Sequence, residues 1–164
     1  MRHRSYRLEC TPATFQPRDA ETRLRVSAAS PREFLRCKRL WTEVGAGFWT
    51  ERSRWSDARW RAHVGKPDVS FWIARLSARE AGCFELTRSA RGAKIEGFGL
   101  LPGFRGRGLG RALLTAATLR AFAKGAPKVR LHTATDDHPH ALPNYLSGGY
   151  RIVRTRKLRR PMRT

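Results

Sequence analysis

The sequence predicts an α+β fold of three layers, in which helices flank a mixed, mostly antiparallel sheet. Three strand-like runs separated by short polar turns occupy the middle of the 164-residue chain, and such runs form an antiparallel meander. A strong helical segment follows them, and then come a strand, a short helix and a last strand. This order of elements is typical of an α+β domain, and the chain length suits a single core.

The N-terminal region divides into a predicted tail and a predicted strand. Residues 1–20 are basic, contain two prolines and show no periodicity. They predict a flexible tail ahead of one domain over residues 21–164. Apolar residues then alternate with polar ones along residues 22–28, and this period of two predicts the first strand.

Two helices are predicted next, and each has a recognisable start. Ser30 can cap the first helix, and Glu33 completes a capping box. Ser56 can cap the second, with a hydrophobic staple between Trp55 and Trp60. The first helix has an apolar face formed by Phe34, Cys37, Trp41 and Val44.

The remaining elements follow from period and from turn residues. Strands alternate, helices carry an apolar stripe, and glycine or proline ends each element. The predicted strands span residues 69–76, 83–87, 94–101, 129–133 and 150–158, and the predicted helices span residues 108–124 and 141–147.

The composition limits the classes of partner. The net charge of +21 favours nucleic acid or other anions, although the arginines are spread along the chain without a single basic block. No apolar run approaches the roughly 18 residues of a membrane span, so no membrane partner is expected. The three cysteines are far apart and form no C-x-x-C pair. We therefore expect a reducing, cytoplasmic location.

A glycine-rich loop between a predicted strand and a predicted helix is the sharpest local motif. Residues 102–111 read PGFRGRGLGR, and small residues at a helix start let an anion approach free backbone N–H groups. Arg105, Arg107 and Arg111 add charge suited to phosphates. No Lys-Ser or Lys-Thr pair follows, which excludes a P-loop, and Arg111 replaces the third glycine of a dinucleotide fingerprint.

A third pattern, [Arg/Gln]-x-x-Gly-x-Gly, fits the loop from Arg105 to Gly110. It resembles the acetyl-CoA pyrophosphate loop of the GNAT superfamily of N-acetyltransferases. Residues 141–150, ALPNYLSGGY, are similar to the family's Ala-x-x-x-Tyr-x-x-x-Gly-aromatic segment, and residues 100–102 match its apolar-x-Pro step. Residues 41–60 resemble a bacterial subgroup with a Val-Gly…Trp-Thr…Trp-Ser…Trp pattern.

The resemblance implies a GNAT fold and acetyl-CoA as co-substrate. It implies direct attack by a primary amine of an unidentified small-molecule or peptide acceptor, and dimers are common among such relatives. Two strands splay apart around the pantetheine arm, with Leu100 near a bulge. The residues implied at the cofactor are Phe98, Leu100, Leu101, Arg105, Gly106, Arg107, Gly108, Leu109, Gly110, Arg111 and His138.

The resemblance also implies catalytic roles. Tyr145 stands at the family's general-acid position, and a phenol with a pKa of about 10 is protonated at neutral pH. Core packing is the alternative role for Tyr145. Glu85 and Glu96 are the candidates for the general base, or else solvated residues or arginine partners. Some relatives carry the base two residues earlier, where this chain has Lys94.

The acceptor wall should include Phe48, Trp49 and Arg52, which follow the first helix. Trp49 is expected either to contact the acceptor or to close the end of the core. A cluster near the fifth predicted strand contains His132, Asp136, Asp137, His138 and His140. No tight ligand pair lies on one element, so no metal is expected. The alternative function is a basic nucleic-acid-binding module on a GNAT-like scaffold with weak or no catalysis.

Overall fold

The computed structural model describes residues 3–18 and 23–159. Within these residues, seven strands form one sheet, and four α-helices flank it. The strands are β1 Arg4–Cys10, β2 Leu24–Ala28, β3 Val69–Leu76, β4 Arg79–Ser89, β5 Gly92–Leu100, β6 Val129–Ala134 and β7 Arg151–Lys157. The helices are α1 Phe34–Gly45, α2 Asp57–Val64, α3 Leu109–Ala123 and α4 Ala141–Ser147.

The sheet order is β2-β3-β4-β5-β6-β1-β7. All neighbouring strands are antiparallel except β5 and β6. One core cluster lies between the sheet and α3, and a second lies between the sheet and the α1–α2 pair. The predicted three-layer fold, with its mixed and mostly antiparallel sheet, is therefore confirmed. Within the described residues, no helix is long and apolar enough to cross a membrane.

The predicted helix starts are confirmed atom by atom. The Ser30 side chain accepts a hydrogen bond from the backbone of Arg32, and Glu33 accepts one from the backbone N–H of Ser30 at 2.8 Å. This capping box opens a single 3-10 turn that runs into α1. The Ser56 hydroxyl accepts from the Arg59 N–H at 3.1 Å and starts α2.

The prediction that residues 1–20 form a tail is wrong for the described part of that range. Residues 4–10 form β1, which is inserted between β6 and β7, and Leu8 and Cys10 have no exposed surface. The chain then continues along the end of α4, where the N–H of Gln16 donates to the carbonyl of Gly148 at 2.9 Å. Tyr6, Leu8 and Cys10 alternate with Arg7 and Glu9, but so short an apolar pattern does not by itself indicate a strand. Residues 1, 2, 19 and 20 lie outside the described residues.

The sheet opens between β5 and β6. These parallel strands share only two registered pairs, Ala93 with Val129 and Lys94 with Arg130. On the other edge of β5, the register against β4 shifts where Gly97 and Phe98 face a single β4 residue. Gly97 has a φ of +56°, and a Cβ there would lie 2.2 Å from the Trp41 ring. Glycine is therefore required at this bulge, which lies beside the opening and shortly before Leu100.

Candidate active site

A cavity of about 720 Å³ lies at the opening between β5 and β6. The start of α3, helix α4 and the segment after α1 complete its walls. Most sequence-predicted site residues line it: Phe48, Trp49, Arg52, Glu96, Phe98, Leu100, Arg105, Gly106, Gly108, Leu109, Gly110, Arg111, His138 and Tyr145. Three predicted residues lie outside this lining, namely Glu85, Leu101 and Arg107. The Leu101 N–H instead donates to the carbonyl of Ala81 at 2.7 Å.

The glycine loop brings a bare helix start to the cavity. Gly106 and Gly108 have φ values of +74° and +75°, a left-handed conformation that favours glycine. Gly108 caps α3 without any side-chain hydrogen bond. A Cβ added at either glycine meets nothing within 4 Å, so the surrounding space is open. Since the first amides of a helix have no intrahelical acceptor, this end of α3 can bind an anion.

Arg105 connects the glycine loop to the end of α1. Its Nη2 donates to the carbonyl of Val44 at 3.1 Å, and its Nε donates to the carbonyl of Leu100 at 3.3 Å. Its guanidinium also lies 5.2 Å from the centre of the Phe48 ring. A cation near helix C-terminal carbonyls is favourable. Arg105 therefore positions the loop, and two of its donors are already committed to the protein.

Helix α4 holds Tyr145 at the cavity and is fixed by its neighbour Asn144. The Asn144 side chain donates to the carbonyl of Gly110 at 3.1 Å and accepts from Arg18 at 2.7 Å. Tyr145 is only 7% exposed, and its ring packs edge-on against Phe98 at 5.9 Å. Burial, together with the charge of Asp137, raises the pKa of Tyr145 above its usual value. The phenol is therefore a proton donor throughout the physiological range.

A buried charge network organises the other side of the cavity. Arg52 forms two hydrogen bonds to Glu85 and one to Glu96, all at 2.8 Å, while His63 reaches Glu85 at 2.8 Å. The Arg52 guanidinium also lies 3.8 Å from the centre of the Trp41 ring. Burial tends to raise the pKa of Glu85, but the hydrogen bonds and charges of Arg52 and His63 outweigh it and the pKa is lowered.

This network separates the two candidate bases. Glu85 has no exposed surface and does not line the cavity, so its carboxylate serves to hold Arg52. Glu96 does line the cavity, but Arg52 and Lys94 each engage one of its carboxylate oxygens. Arg52, expected to contact the acceptor, has a side chain only 7% exposed. Its charge is used inside the protein.

Replacing Glu85 with glutamine should destabilise the protein by about 3 kcal/mol, because it breaks a buried ion pair from one side. The pKa of Glu85 is lowered in the folded state. Its stabilisation is therefore complete above its ordinary value of 4.5 and is lost as pH falls through the lower folded value. Urea unfolding of both proteins at pH 7 and pH 4 should show the difference narrowing at pH 4.

The matched control for this experiment is Glu43→Gln, which removes an exposed pair with Arg39. Such pairs contribute about 1 kcal/mol or less. An equally small loss in Glu85→Gln at both pH values would contradict the stabilising role of the buried network.

Aromatic side chains form the wall beyond this network. Trp49 packs edge-on against Trp41 at 6.0 Å, and a Cβ on Gly45 would lie 2.1 Å from the Trp49 indole nitrogen. That nitrogen is buried without a hydrogen-bond partner in the described residues. Trp49 therefore packs at the end of the core and also lines the cavity, so its two expected roles both stay predictions. Phe48 instead lies toward His138, with ring centroids 5.4 Å apart.

His132 is a cavity residue whose position the sequence did not reveal. It lies on β6, two residues beyond the last registered pair, as Glu96 does on β5. The two side chains therefore stand on either side of the opening. Partial burial, followed by the charges of Lys94, Arg7 and Arg130, lowers the pKa of His132 below 6.5. The neutral imidazole is thus favoured at neutral pH. The sequence signal that could have indicated this position of His132 was its place in a strand whose apolar residues alternate with polar ones.

The acidic and histidine cluster after β6 combines structural hydrogen bonds with part of the cavity wall. Asp137 accepts from the Thr133 hydroxyl at 2.6 Å and from the backbone of Ala134 at 3.2 Å. His138 lines the cavity, and its pKa is lowered by burial and by the charges of Arg105 and His140. Among the described residues, no three potential ligands converge on a metal position.

The strand order, the opening between β5 and β6 and the glycine-capped start of α3 together define the class of fold to which this chain belongs. The chain belongs to the GNAT family of acetyltransferases, because the model described as the Acetyltransferase (GNAT) family matches residues 33–150, well over half of the chain. No curated protein matches the chain.

Several solved structures share the fold. A GCN5-related N-acetyltransferase from Sphaerobacter thermophilus matches with a TM-score of 0.72 and 18% identity over 94% of this chain and 50% of that one. Another GCN5-related N-acetyltransferase, from Kribbella flavida, matches with a TM-score of 0.67 and 20% identity over 93% of this chain and 55% of that one. The ribosomal-protein-S18-alanine N-acetyltransferase from Escherichia coli matches with a TM-score of 0.59 and 16% identity over 76% of this chain and 75% of that one.

At these identities the likeness shows the fold alone. The chain spans about half to three fifths of the length of the first four structures it matches. The bacterial subgroup indicated by the tryptophan pattern stays a prediction.

Proposed function

We propose that this protein transfers an acetyl group from acetyl-CoA to a primary amine. The observation that carries the proposal is that one cavity combines a left-handed glycine cap on α3 with the gap between β5 and β6. The first feature suits a pyrophosphate, and the second leaves strand backbone groups available to an extended ligand. A pantetheine arm attached to a pyrophosphate needs both of these features in one cavity.

The donor fits the residues present. The edge of β5 beyond Lys94 has no registered strand partner in β6, so backbone groups of Phe98 and Leu100 can hydrogen-bond the pantetheine amides. The amides from Arg107 to Arg111 then bind the pyrophosphate, aided by the dipole of α3. The open space around Gly106 and Gly108 leaves room for the phosphates.

The chemistry is a direct attack. The neutral amine nitrogen forms a bond to the thioester carbonyl carbon, and the carbon–sulfur bond breaks. The nitrogen releases one proton to solvent as it becomes the amide nitrogen, and the leaving thiolate takes a proton from the Tyr145 hydroxyl. Burial and the charge of Asp137 act on that hydroxyl without a hydrogen bond from the described residues, so it is available to the sulfur. The tyrosinate that remains is reprotonated from solvent before the next cycle.

The amine must also lose a proton, since alkylammonium groups have a pKa of about 10.4. His132 is the base that the geometry favours: it lines the acceptor side, and its imidazole is neutral at pH 7. Glu96 faces it across the opening, but both of its oxygens are engaged by cations. We therefore assign His132 to proton removal, directly or through one water molecule.

His132→Asn should lower kcat by about 10²-fold, which is the lower end for a positioned base. In the wild type, kcat at saturating amine should fall as pH drops through the His132 pKa, which lies below 6.5. That acidic limb should disappear in the variant. His3→Asn is the control, because His3 lies outside the cavity lining. If the acidic limb of the pH profile of kcat were unchanged in His132→Asn, the general base would be Glu96 or solvent instead of His132.

The proposal is tested by calorimetric titration with acetyl-CoA and, separately, with NAD and ATP at moderate salt. Saturable binding of acetyl-CoA alone supports the donor assignment, and amines are then screened by CoA release. Failure of acetyl-CoA to bind would refute the proposal and favour a basic module that binds nucleic acid without catalysis.

A further inference from the structure

A small groove lies on the sheet next to the main cavity. It has a volume of about 150 Å³ and is lined by Ser5, Arg7, His132, Arg154 and Arg156. Three of these five residues are arginines. The other two are Ser5, which carries a hydroxyl group, and His132. The groove lies on β1, β6 and β7.

The strand register places these side chains in rows. Arg7 is paired with His132 on one side and with Arg154 on the other, and Ser5 is paired with Arg156. Directly paired residues of antiparallel strands point to the same face. Leu8 and Leu131 alternate with this row and belong to the core on the α3 side. The groove therefore lies on the face opposite α3 and its glycine loop.

The arginines of the groove are only weakly neutralised. The buried Nε of Arg7 has no hydrogen-bond partner in the described residues, and its Nη2 lies a long 3.9 Å from Glu9. Across the same part of the chain, no carboxylate pairs with Arg154 or Arg156. Neighbouring cations repel each other, and an unsatisfied buried donor is unfavourable. Both conditions are relieved by a bound anion.

The groove adjoins the acceptor side of the main cavity, since His132 lines both. Adjacent strands are about 4.8 Å apart, so Arg154 lies roughly two strand spacings, or about 10 Å, from His132. An acceptor whose amine reaches His132 can thus place a second group, about 10 Å away, among the three arginines.

We propose that this groove binds a phosphate monoester carried by the amine acceptor. This inference rests on the proposed function, and it narrows the acceptor to phosphorylated amines. Three guanidinium groups with a hydroxyl provide more positive charge than one carboxylate can neutralise, and guanidinium forks match phosphate oxygens. The dianionic phosphate is therefore the better complement.

The first test uses NMR on protein with ¹⁵N-labelled arginine, saturated with CoA so that the cofactor's own phosphates are already bound. Inorganic phosphate is titrated at constant ionic strength, and acetate is titrated in parallel. We expect a saturable shift of the Arg7 Nε–H resonance with phosphate and at least about tenfold weaker binding of acetate. Absence of a saturable shift, or equal affinities for both anions, would overturn the phosphate assignment.

Matched variants locate the anion. Arg154→Gln/Arg156→Gln should weaken phosphate binding about tenfold or more. Arg88→Gln/Arg91→Gln removes the same charge from two exposed residues at the β4–β5 turn, outside both cavities, and should leave it unchanged. Equal weakening in both double variants would show a nonspecific effect of net charge and refute the groove.

The second test compares 6-aminohexyl phosphate with 6-aminohexanol as acceptors, because their chain spans the separation between His132 and Arg154. We expect KM to be at least about tenfold lower for the phosphate and this advantage to vanish in Arg154→Gln/Arg156→Gln. Equal KM values would refute phosphate recognition while leaving acetyl transfer intact. If acetyl-CoA itself fails to bind, the NMR titration without CoA still decides whether the groove takes phosphate. Preferential shifts with a short RNA instead would point to the nucleic-acid alternative.

Discussion

Gly108→Asp should reduce acetyl-CoA affinity by roughly 100-fold. Aspartate places a negative charge at the N-terminus of α3, where interaction with an anion is worth up to about 2 kcal/mol, and it repels the pyrophosphate. Its side chain also enters the open space that the phosphates need, since a Cβ at Gly108 meets nothing within 4 Å. Calorimetric titration with acetyl-CoA measures the loss.

Two controls separate charge from shape and position. Gly108→Asn has the same size as aspartate and tolerates a positive φ, so it should lose only about tenfold. Gly103→Asp adds the same charge outside the cavity lining, at a glycine with open surroundings, and should bind acetyl-CoA nearly normally. Equal affinity of Gly108→Asp and the wild type would mean that the phosphates bind elsewhere.

The glycine-loop half of the candidate site could be predicted from the sequence because it is local. Left-handed glycines, a helix start and the strand before it lie within ten residues, and their geometry follows from the residue types. The residue order of α4 likewise fixes Tyr145 on the helix face toward the sheet. The loop sequence did not reveal that the Arg105 side chain donates hydrogen bonds to the backbone carbonyls of Val44 and Leu100.

The acceptor half could not be predicted because it is assembled from distant segments. Glu85 and Glu96 look alike in the sequence, and both lie on strands. Only the folded chain shows that Arg52 and His63 enclose the first while the second faces the cavity. The position of His132 depends on where β5 and β6 separate, and no single strand encodes that point.

The absence of β1 from the sequence-based prediction had the largest consequence for the site. Without β1, the sheet would end at β6 and the arginines of residues 151–157 would form an isolated basic run. With β1 inserted, Arg7 lies between His132 and Arg154. The diffuse positive charge of the sequence thus becomes a defined groove beside the acceptor side, which a charge count of the whole chain cannot show.

Tyr145→Phe should lower kcat by about 10²–10⁴-fold, the range for a positioned general acid, and should leave acetyl-CoA affinity nearly unchanged. The phenyl ring keeps the edge-on contact with Phe98, so the walls of the cavity are preserved. Only the proton for the leaving thiolate is lost. Stopped-flow or steady-state CoA release, together with calorimetric binding, separates the two effects.

Tyr150→Phe is the matched control because it removes a hydroxyl from the neighbouring buried tyrosine. The Tyr150 hydroxyl is hydrogen-bonded to Thr118 at 2.7 Å and does not line the cavity. Its loss should cost about 1 kcal/mol of unfolding free energy and leave turnover unchanged. If Tyr145→Phe turned over like the wild type, the thiolate would be leaving unprotonated or protonated by solvent, and Tyr145 would be a packing residue. If both variants lost activity together with stability, the effect would belong to the shared core and not to proton transfer.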